Sequence, residues 1–197
     1  MAVGKVGTGF SHPWVAAYSA TGGVVSYSNA MALGRGVSMT ISPESSDDNI
    51  FYADNVAAET APGTFTGGTA TVVIDGLLEE TETFIFGLPA AASVSDVSVL
   101  KYGDSAQPPY IALGGLIRHQ NEGVVTWSFA ILTKMRFSLP TTEASTQEEA
   151  ISWQTQSLEA TIMRDDTAEH AWKMVSATEY STEAAALTAM KKVLGVA

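Results

Sequence analysis

The strongest periodic signal in the chain lies at residues 125–139. Val125, Trp127, Phe129, Ile131, Met135, Phe137 and Leu139 occupy odd positions, and Thr126, Ser128, Ala130, Lys134, Arg136 and Ser138 occupy even ones. A period of two is the pattern of a strand, whose side chains point alternately to two faces. Fifteen such residues would span roughly 50 Å at about 3.3 Å each. The segment is therefore one long, bent strand or two collinear ones, ended by Pro140.

Other strands follow from the same pattern. Val37, Met39 and Ile41 alternate with Ser38, Thr40 and Ser42, and Ala70, Val72 and Ile74 alternate with Thr69 and Thr71. Between them, residues 43–68 are acidic and turn-rich, with Pro43, Asp47-Asp48, Asp54-Asn55, Pro62 and Gly67-Gly68. So long a connection is either functional or disordered. Ile50, Phe51 and Tyr52 predict a short strand or an anchored loop inside it. The period then changes. Leu77, Leu78, Thr81, Phe84, Ile85 and Leu88 share one helical face, which predicts a helix over 77–87. Asp75 is its expected N-cap and Gly87 its stop. Strands are expected again at 97–102 and 110–118, with a hairpin turn at Asn121-Glu122-Gly123.

A second long strand is expected over Ile151–Arg164. Its phase slips: Ile151 and Trp153 are odd, whereas Leu158, Ala160 and Ile162 are even, which predicts a bulge near 154–156. A last strand at 171–176 and a helix over 182–194 complete the pattern. Leu187, Met190 and Leu194 form the apolar edge of that helix. The Gly-rich residues 1–13 read as an N-terminal arm. The chain thus divides into an arm (1–13), a mainly antiparallel β domain with one helix packed on it (14–178), and a C-terminal helical extension (179–197).

Composition narrows the function. Charged residues are 16% of the 197, below the roughly 25% of ordinary soluble proteins. The 10 Lys+Arg stand against 21 Asp+Glu, a net charge of -11. With no basic cluster, the chain is a poor candidate for gripping nucleic acid. It has no Cys, hence no thiolate site and no disulfide. No apolar run approaches the about 20 residues of a membrane-spanning helix, and the N-terminal residues lack the apolar run of a signal peptide. His12, His119 and His170 form no ligand pattern. The Gly4–Gly9 stretch follows no strand and opens no helix, as a phosphate loop must. Asp47, Asp48 and Asp54 could ligate calcium, but their spacing is not that of an EF-hand loop, and a solvated acidic loop is the ordinary reading. Asp165 and Asp166 read as turn residues. No enzyme activity, cofactor or metal is expected.

The polar faces are more informative. Outward positions carry Thr, Ser, Ala and Gln in place of Lys and Glu. Thr155, Ser157, Glu159 and Thr161 form one such face. Contact surfaces are depleted of Lys and Glu, and bare strand edges invite pairing. Self-association fits both. The competing class is a β-sandwich carbohydrate-binding or adhesin module, which wants exposed aromatics on one face. Trp14, Trp127, Trp153 and Trp172 mostly sit at apolar-phase positions instead, which predicts core roles.

Four stretches, in order, carry a resemblance. They are Ile50-Phe-Tyr-Ala-Asp-Asn55, Pro109-Tyr-Ile-Ala-Leu-Gly114, Thr126-Trp-Ser-Phe-Ala-Ile-Leu-Thr-Lys134, and Leu158-Glu-Ala-Thr-Ile-Met-Arg-Asp165 with Ala171-Trp-Lys173. Together they resemble the major tail proteins, or tail tube proteins, of long-tailed, non-contractile bacteriophages, over roughly residues 10–178. The segment from Asp165 to Trp172 is longer than the tight turn of that family. The resemblance implies an antiparallel β-sandwich or small barrel flanked by one α-helix, with N- and C-terminal extensions. It implies a structural virion protein, made in the host bacterial cytoplasm, that forms stacked hexameric rings. The resulting tube passes the phage DNA without binding it specifically. Its partners would be further copies of itself, tail tip or terminator proteins and a tape-measure protein, with no membrane. The tube protein of a phage-like injection or secretion machine is the alternative within that class. On this reading the 43–63 loop, with Asp47, Asp48, Phe51, Tyr52 and Asp54, reaches between rings. Thr155, Ser157, Glu159 and Thr161 line the lumen, and Leu187, Met190 and Leu194 contact a neighbouring subunit.

Overall fold

The computed structural model describes residues 4–142, 144–146 and 153–196. They form a mainly antiparallel β structure with two helices. The strands are β1 (Val6–Thr21), β2 (Val24–Ala32), β3 (Gly36–Ser45), β4 (Asn49–Ala53), β5 (Val56–Ala61), β6 (Phe65–Ile74), β7 (Ala92–Val94), β8 (Val97–Val99), β9 (Ile111–Asn121), β10 (Val124–Phe137), β11 (Gln156–Met163) and β12 (Lys173–Val175). The helices are α1 (Glu79–Phe86) and α2 (Glu183–Val193). One sheet runs in the order β2-β1-β9-β10-β11-β6-β3, with β12 beside β10. β4–β5 and β7–β8 are separate hairpins.

The long alternating segment is one strand, β10, with a bulge. From Leu132 to Met135 it advances three residues while β9 advances two, from Leu113 to Ile111. One inserted residue exchanges the two faces of a strand. Phe129 and Ile131 therefore point to one side, and Met135 and Phe137 to the other, although all are odd. The strand changes partner at the same place. β12 lies beside Ala130–Leu132, and β11 lies beside Lys134–Phe137.

Two cores result, one on each face. On the inner side of the curled sheet, Val15, Val72, Ile74, Leu113, Met135, Phe137, Leu158 and Ile162 close around Ile85 and Phe86 of α1. The curl brings the start of β3 against β1. The Leu33 amide donates to the Pro13 carbonyl at 2.9 Å, and a side chain at Gly36 would collide with Phe10. On the outer side, Ala16, Ala112, Leu116, Phe129 and Ile131 are covered by Ala186, Met190 and Leu194 of α2. Thr182 caps α2 by accepting from the Ala185 amide at 3.3 Å. Gly114 leaves the space that Met190 Sδ fills, since a Cβ there would lie 2.9 Å from the sulfur.

Several expectations need correction. Met190 and Leu194 are fully buried in their own subunit and Leu187 is half-buried, so this apolar edge is consumed by the sheet beneath it and is not an open contact surface. Most of the expected arm is strand: residues from Val6 to Ser11 pair with Gln120 to Leu116 of β9. The N-cap of α1 is Leu78, without a side-chain bond. Asp75 instead accepts from the Arg35 amide at 2.8 Å and from Arg35 Nε at 2.5 Å. This pair holds the Asp75 carboxyl below the usual carboxylate range, chiefly through the Arg35 side-chain bond. Gly87 does end the helix, in the left-handed conformation at φ 60. β11 begins only at Gln156, so the phase slip reflects a strand start and not a bulge within a longer strand. Trp153 precedes the strand and is 87% exposed, contrary to a core role. Ile151 lies outside the described residues.

Because Met190 packs entirely within the subunit, Met190→Ala should lower folding stability by about 2–5 kcal/mol, as large-to-small core changes do. Leu187→Ala should cost well under half as much. Denaturant unfolding at a concentration where the chain is monomeric would read both. An unchanged Met190→Ala midpoint would place that side chain outside the core.

Candidate functional site

The face exchange in β10 leaves a second region on the outer side of the sheet. There β11 and β6 bury Leu158, Ala160, Ile162, Ala70, Val72 and Ile74 inward, and half-buried Met39 and Ile41 of β3 pack against the same core. By alternation their other residues point outward. Pairing sets these in ranks across the strands. Thr161, Thr69 and Ser42 form one rank, Glu159, Thr71 and Thr40 the next, and Ser157, Val73 and Ser38 the third. Thr71 and Val73 are half-buried and the others are exposed. α2 covers the neighbouring β9–β10 region and does not reach this face.

The chemistry of the face is uniform. Seven of the nine positions are hydroxyl side chains, each able to donate and accept a hydrogen bond. Glu159 is the one ionisable group among them. Such a surface holds water and offers a polyanion no set of fixed cations. At its β10 border Arg136 pairs opposite Thr161 and stacks on Tyr110, its guanidinium carbon 4.2 Å from the ring centre. The adjoining Lys134 is drawn back from solvent. Its ammonium lies 2.7 Å from Asp166 Oδ2 and about equally over the rings of Tyr18 and Tyr110. The Tyr18 hydroxyl donates to the same Asp166 oxygen at 2.6 Å. Burial, then this bond to a carboxylate, pushes the Tyr18 phenol up to about 12. Lys134 and Tyr18 together hold Asp166 below the usual carboxylate range. The cation nearest the face on β10 after Arg136 is thus neutralised locally.

Three of the four expected face residues meet here: Ser157, Glu159 and Thr161. Thr155 is exposed but lies in the segment before β11. Thr40, Ser42, Thr69 and Thr71 belong to the same face and escaped the sequence reading. Their polar phase was visible, but which strands pair with β11 was not.

The 43–63 loop is a β-hairpin, β4–β5, built on a continuation of β3 and β6. Asp54 and Asn55 both take positive φ (50 and 65) at its tip, the backbone of a tight hairpin turn. Asp48 accepts from the Gly63 amide at 2.8 Å and so fixes the base. This gives Asp48 a structural role. Among the described residues no group of three His, Cys, Asp or Glu could hold a metal ion. β5 is exposed throughout, and Ile50, Phe51, Tyr52 and Val56 are 42–63% exposed. Four large apolar side chains on one exposed hairpin are unusual for a surface with nothing against it.

Neither a comparison with protein-family models nor one with curated proteins finds a match for this chain.

Joining Ser46 to Gly63 through an Asn-Gly turn, with residues 47–62 removed, should leave the stability of the body within about 0.5 kcal/mol, as surface changes do. Thermal or denaturant unfolding would read it. A loss of several kcal/mol would make the hairpin part of the fold and not an appendage.

Proposed function

We propose that this chain is a structural subunit that self-assembles into stacked rings enclosing a hollow tube, as the tail tube proteins it resembles do. In that setting its partners are further copies of itself, with tip, terminator and tape-measure proteins at the ends. DNA crosses the lumen without specific contacts. The observation that carries the reading is the uncovered hydroxyl face of β11, β6 and β3. A globular domain with a solvent-facing sheet has no need to clear it of Lys, yet among the nine ranked positions only Glu159 is charged, with Glu44 at the β3 end of the face and Arg136 at its β10 border. In a lumen the same composition is useful. A duplex carries about one negative charge per 1.7 Å, so cations would bind it and slow its passage. Hydroxyls and a scattered carboxylate leave it mobile, and screening over about 8 Å keeps the repulsion weak.

Two further features support self-assembly. Among the described residues no further strand pairs with the outer edges of β2 and β3, and unpaired edges invite pairing unless something covers them. The β4–β5 hairpin presents Phe51 and Tyr52, residues suited to anchoring a contact between rings. The role is physical and involves no catalytic residue.

Among the described residues the tryptophans do not assemble the exposed platform of a carbohydrate-binding module. Trp14 and Trp127 pack beside α2, and Trp172 stacks on Phe65 with ring centres 4.8 Å apart. Of the four tryptophans, Trp153 is the one well exposed.

Negative-stain microscopy of the purified chain should show rings or tubes, and the variant lacking residues 47–62 should form no tubes. Tubes of normal length from that variant would remove the hairpin from the assembly. In assembled tails, Glu159→Lys or Thr161→Lys should slow DNA release while tubes still form. Release at the normal rate from well-formed tubes would exclude this face from the lumen.

A further inference from the structure

Asp75 and Gly76 form the one Asp-Gly pair in the chain, and no Asn-Gly occurs. Asp-Gly is the dipeptide most open to attack by its own backbone. The nitrogen of the following residue can close on the Asp side-chain carbon, and glycine, with no Cβ, gives the chain the freedom to bring the two together. The pair lies between β6 and α1, where water has access: the Asp75 side chain is 37% exposed. A Cβ built on Gly76 would meet nothing within 4 Å, and among the described residues the Gly76 amide donates to no backbone carbonyl. The glycine side offers no restraint.

The restraint is on the carboxyl. Arg35, just before β3, makes three hydrogen bonds with Asp75. Its carbonyl accepts from the Asp75 amide at 3.1 Å, its amide donates to Asp75 Oδ1 at 2.8 Å, and its Nε donates to Oδ2 at 2.5 Å. Both carboxylate oxygens are thus engaged. Gly34 makes the approach possible, since a Cβ there would lie 2.9 Å from the Gly76 carbonyl oxygen and 3.2 Å from Asp75 Oδ1. The engaged form is the ionised one, and the Arg35 side-chain bond, the largest cause, holds the carboxyl below the usual carboxylate range. Ring closure needs the neutral acid, because the departing oxygen must leave as water. Arg35 therefore ties the carboxyl toward β3 and keeps it in the unreactive charge state.

We propose that Asp75-Gly76 is a latent isomerisation site and that the Arg35 clamp suppresses its reaction in the folded chain. The Gly76 nitrogen bonds to Asp75 Cγ and gives up its proton, the carboxyl gives up hydroxyl, and the two leave as one water. The product is a five-membered succinimide, which a second water opens. Attack at Cγ breaks the new bond and restores aspartate. Attack at the Asp75 main-chain carbonyl breaks its bond to the Gly76 nitrogen and leaves isoaspartate. No oxidant or cofactor takes part, and the mass of the chain is unchanged. In isoaspartate the main chain runs through Cβ and Cγ, one atom longer, and the free carboxylate sits on Cα. The bonds that join Asp75 to Arg35 cannot then all be kept, so the junction of β6 with β3 loosens.

The test ages the full chain at mildly acidic pH, below its unfolding temperature, and measures isoaspartate at residue 75 by peptide mapping and enzymatic methylation. Native wild type should form it several-fold more slowly than the same chain held unfolded in urea. Native Arg35→Gln should form it about three- to tenfold faster than native wild type, the effect of removing one adjacent but solvent-screened cation. The Arg35 side chain is 91% exposed, so this change removes no packing, and circular dichroism checks the fold. Should Arg35→Gln unfold, Arg35→Lys carries the comparison: it keeps the charge without the Nε bond and should also age faster than wild type. Asp75→Glu, whose ring would need six members, should give no signal at this position. Equal rates in native and unfolded wild type would overturn the inference. So would a native Arg35→Gln or Arg35→Lys chain that ages no faster than wild type, or a signal that persists in Asp75→Glu. A monomer suffices for every sample, so none of these outcomes depends on tube formation.

Discussion

The bulge between Leu132 and Met135 is the constraint on which the rest of the structure depends. A strand of 14 residues with strict alternation would present one apolar face, and a single layer on that face would cover it. The extra residue divides the apolar positions instead, with Phe129 and Ile131 outward and Met135 and Phe137 inward. Two separate covers are then required. The inward half is closed by the curl of the sheet and by α1, and the outward half by α2. Past the bulge, β10 hands its edge from β12 to β11, and the outer side becomes a hydroxyl surface. The covered and uncovered halves of that side are thus set by one inserted residue.

The low charge density takes on a spatial meaning. The outer face of β11, β6 and β3 is mostly hydroxyl, with Glu159 the one charge among its nine ranked positions, and β2 carries no charged residue. Acidic residues gather on the β3 side and its hairpin. Three of the ten cations are ion-paired: Arg35 with Asp75, Lys134 with Asp166, and Lys5 with Glu179 at 2.7 Å. The subunit thus carries a hydroxyl face around Glu159 and an exposed apolar hairpin.

Much of the fold was legible in the sequence because its signals are local. Alternation located β3, β6, β9, β10 and the core phase of β11. Gly87 stopped α1, the Asn121-Glu122-Gly123 turn joined β9 to β10, and α2 appeared within a residue of its expected ends. What was missed depended on tertiary partners. The bulge in β10 is invisible because odd positions stay apolar on both sides of it. Asp75 has the chemistry of an N-cap, but Arg35, forty residues away, claims it. Met190 and Leu194 read as an exposed edge because nothing local reveals the sheet beneath α2. For the candidate site the polar phase of each strand was plain, whereas the ranks joining Glu159 to Thr71 and Thr40 required the strand order.

The chain has no native Cys, so one introduced thiol reports its surroundings without background. Thr71 lies at the centre of the hydroxyl face. In Thr71→Cys, reaction with a maleimide on a bulky polymer should be rapid for the free subunit and suppressed many-fold in assembled tubes. A small maleimide should still enter and react. Equal reaction of the bulky reagent with tubes and subunits would place this face outside the lumen and contradict the proposed role of the surface.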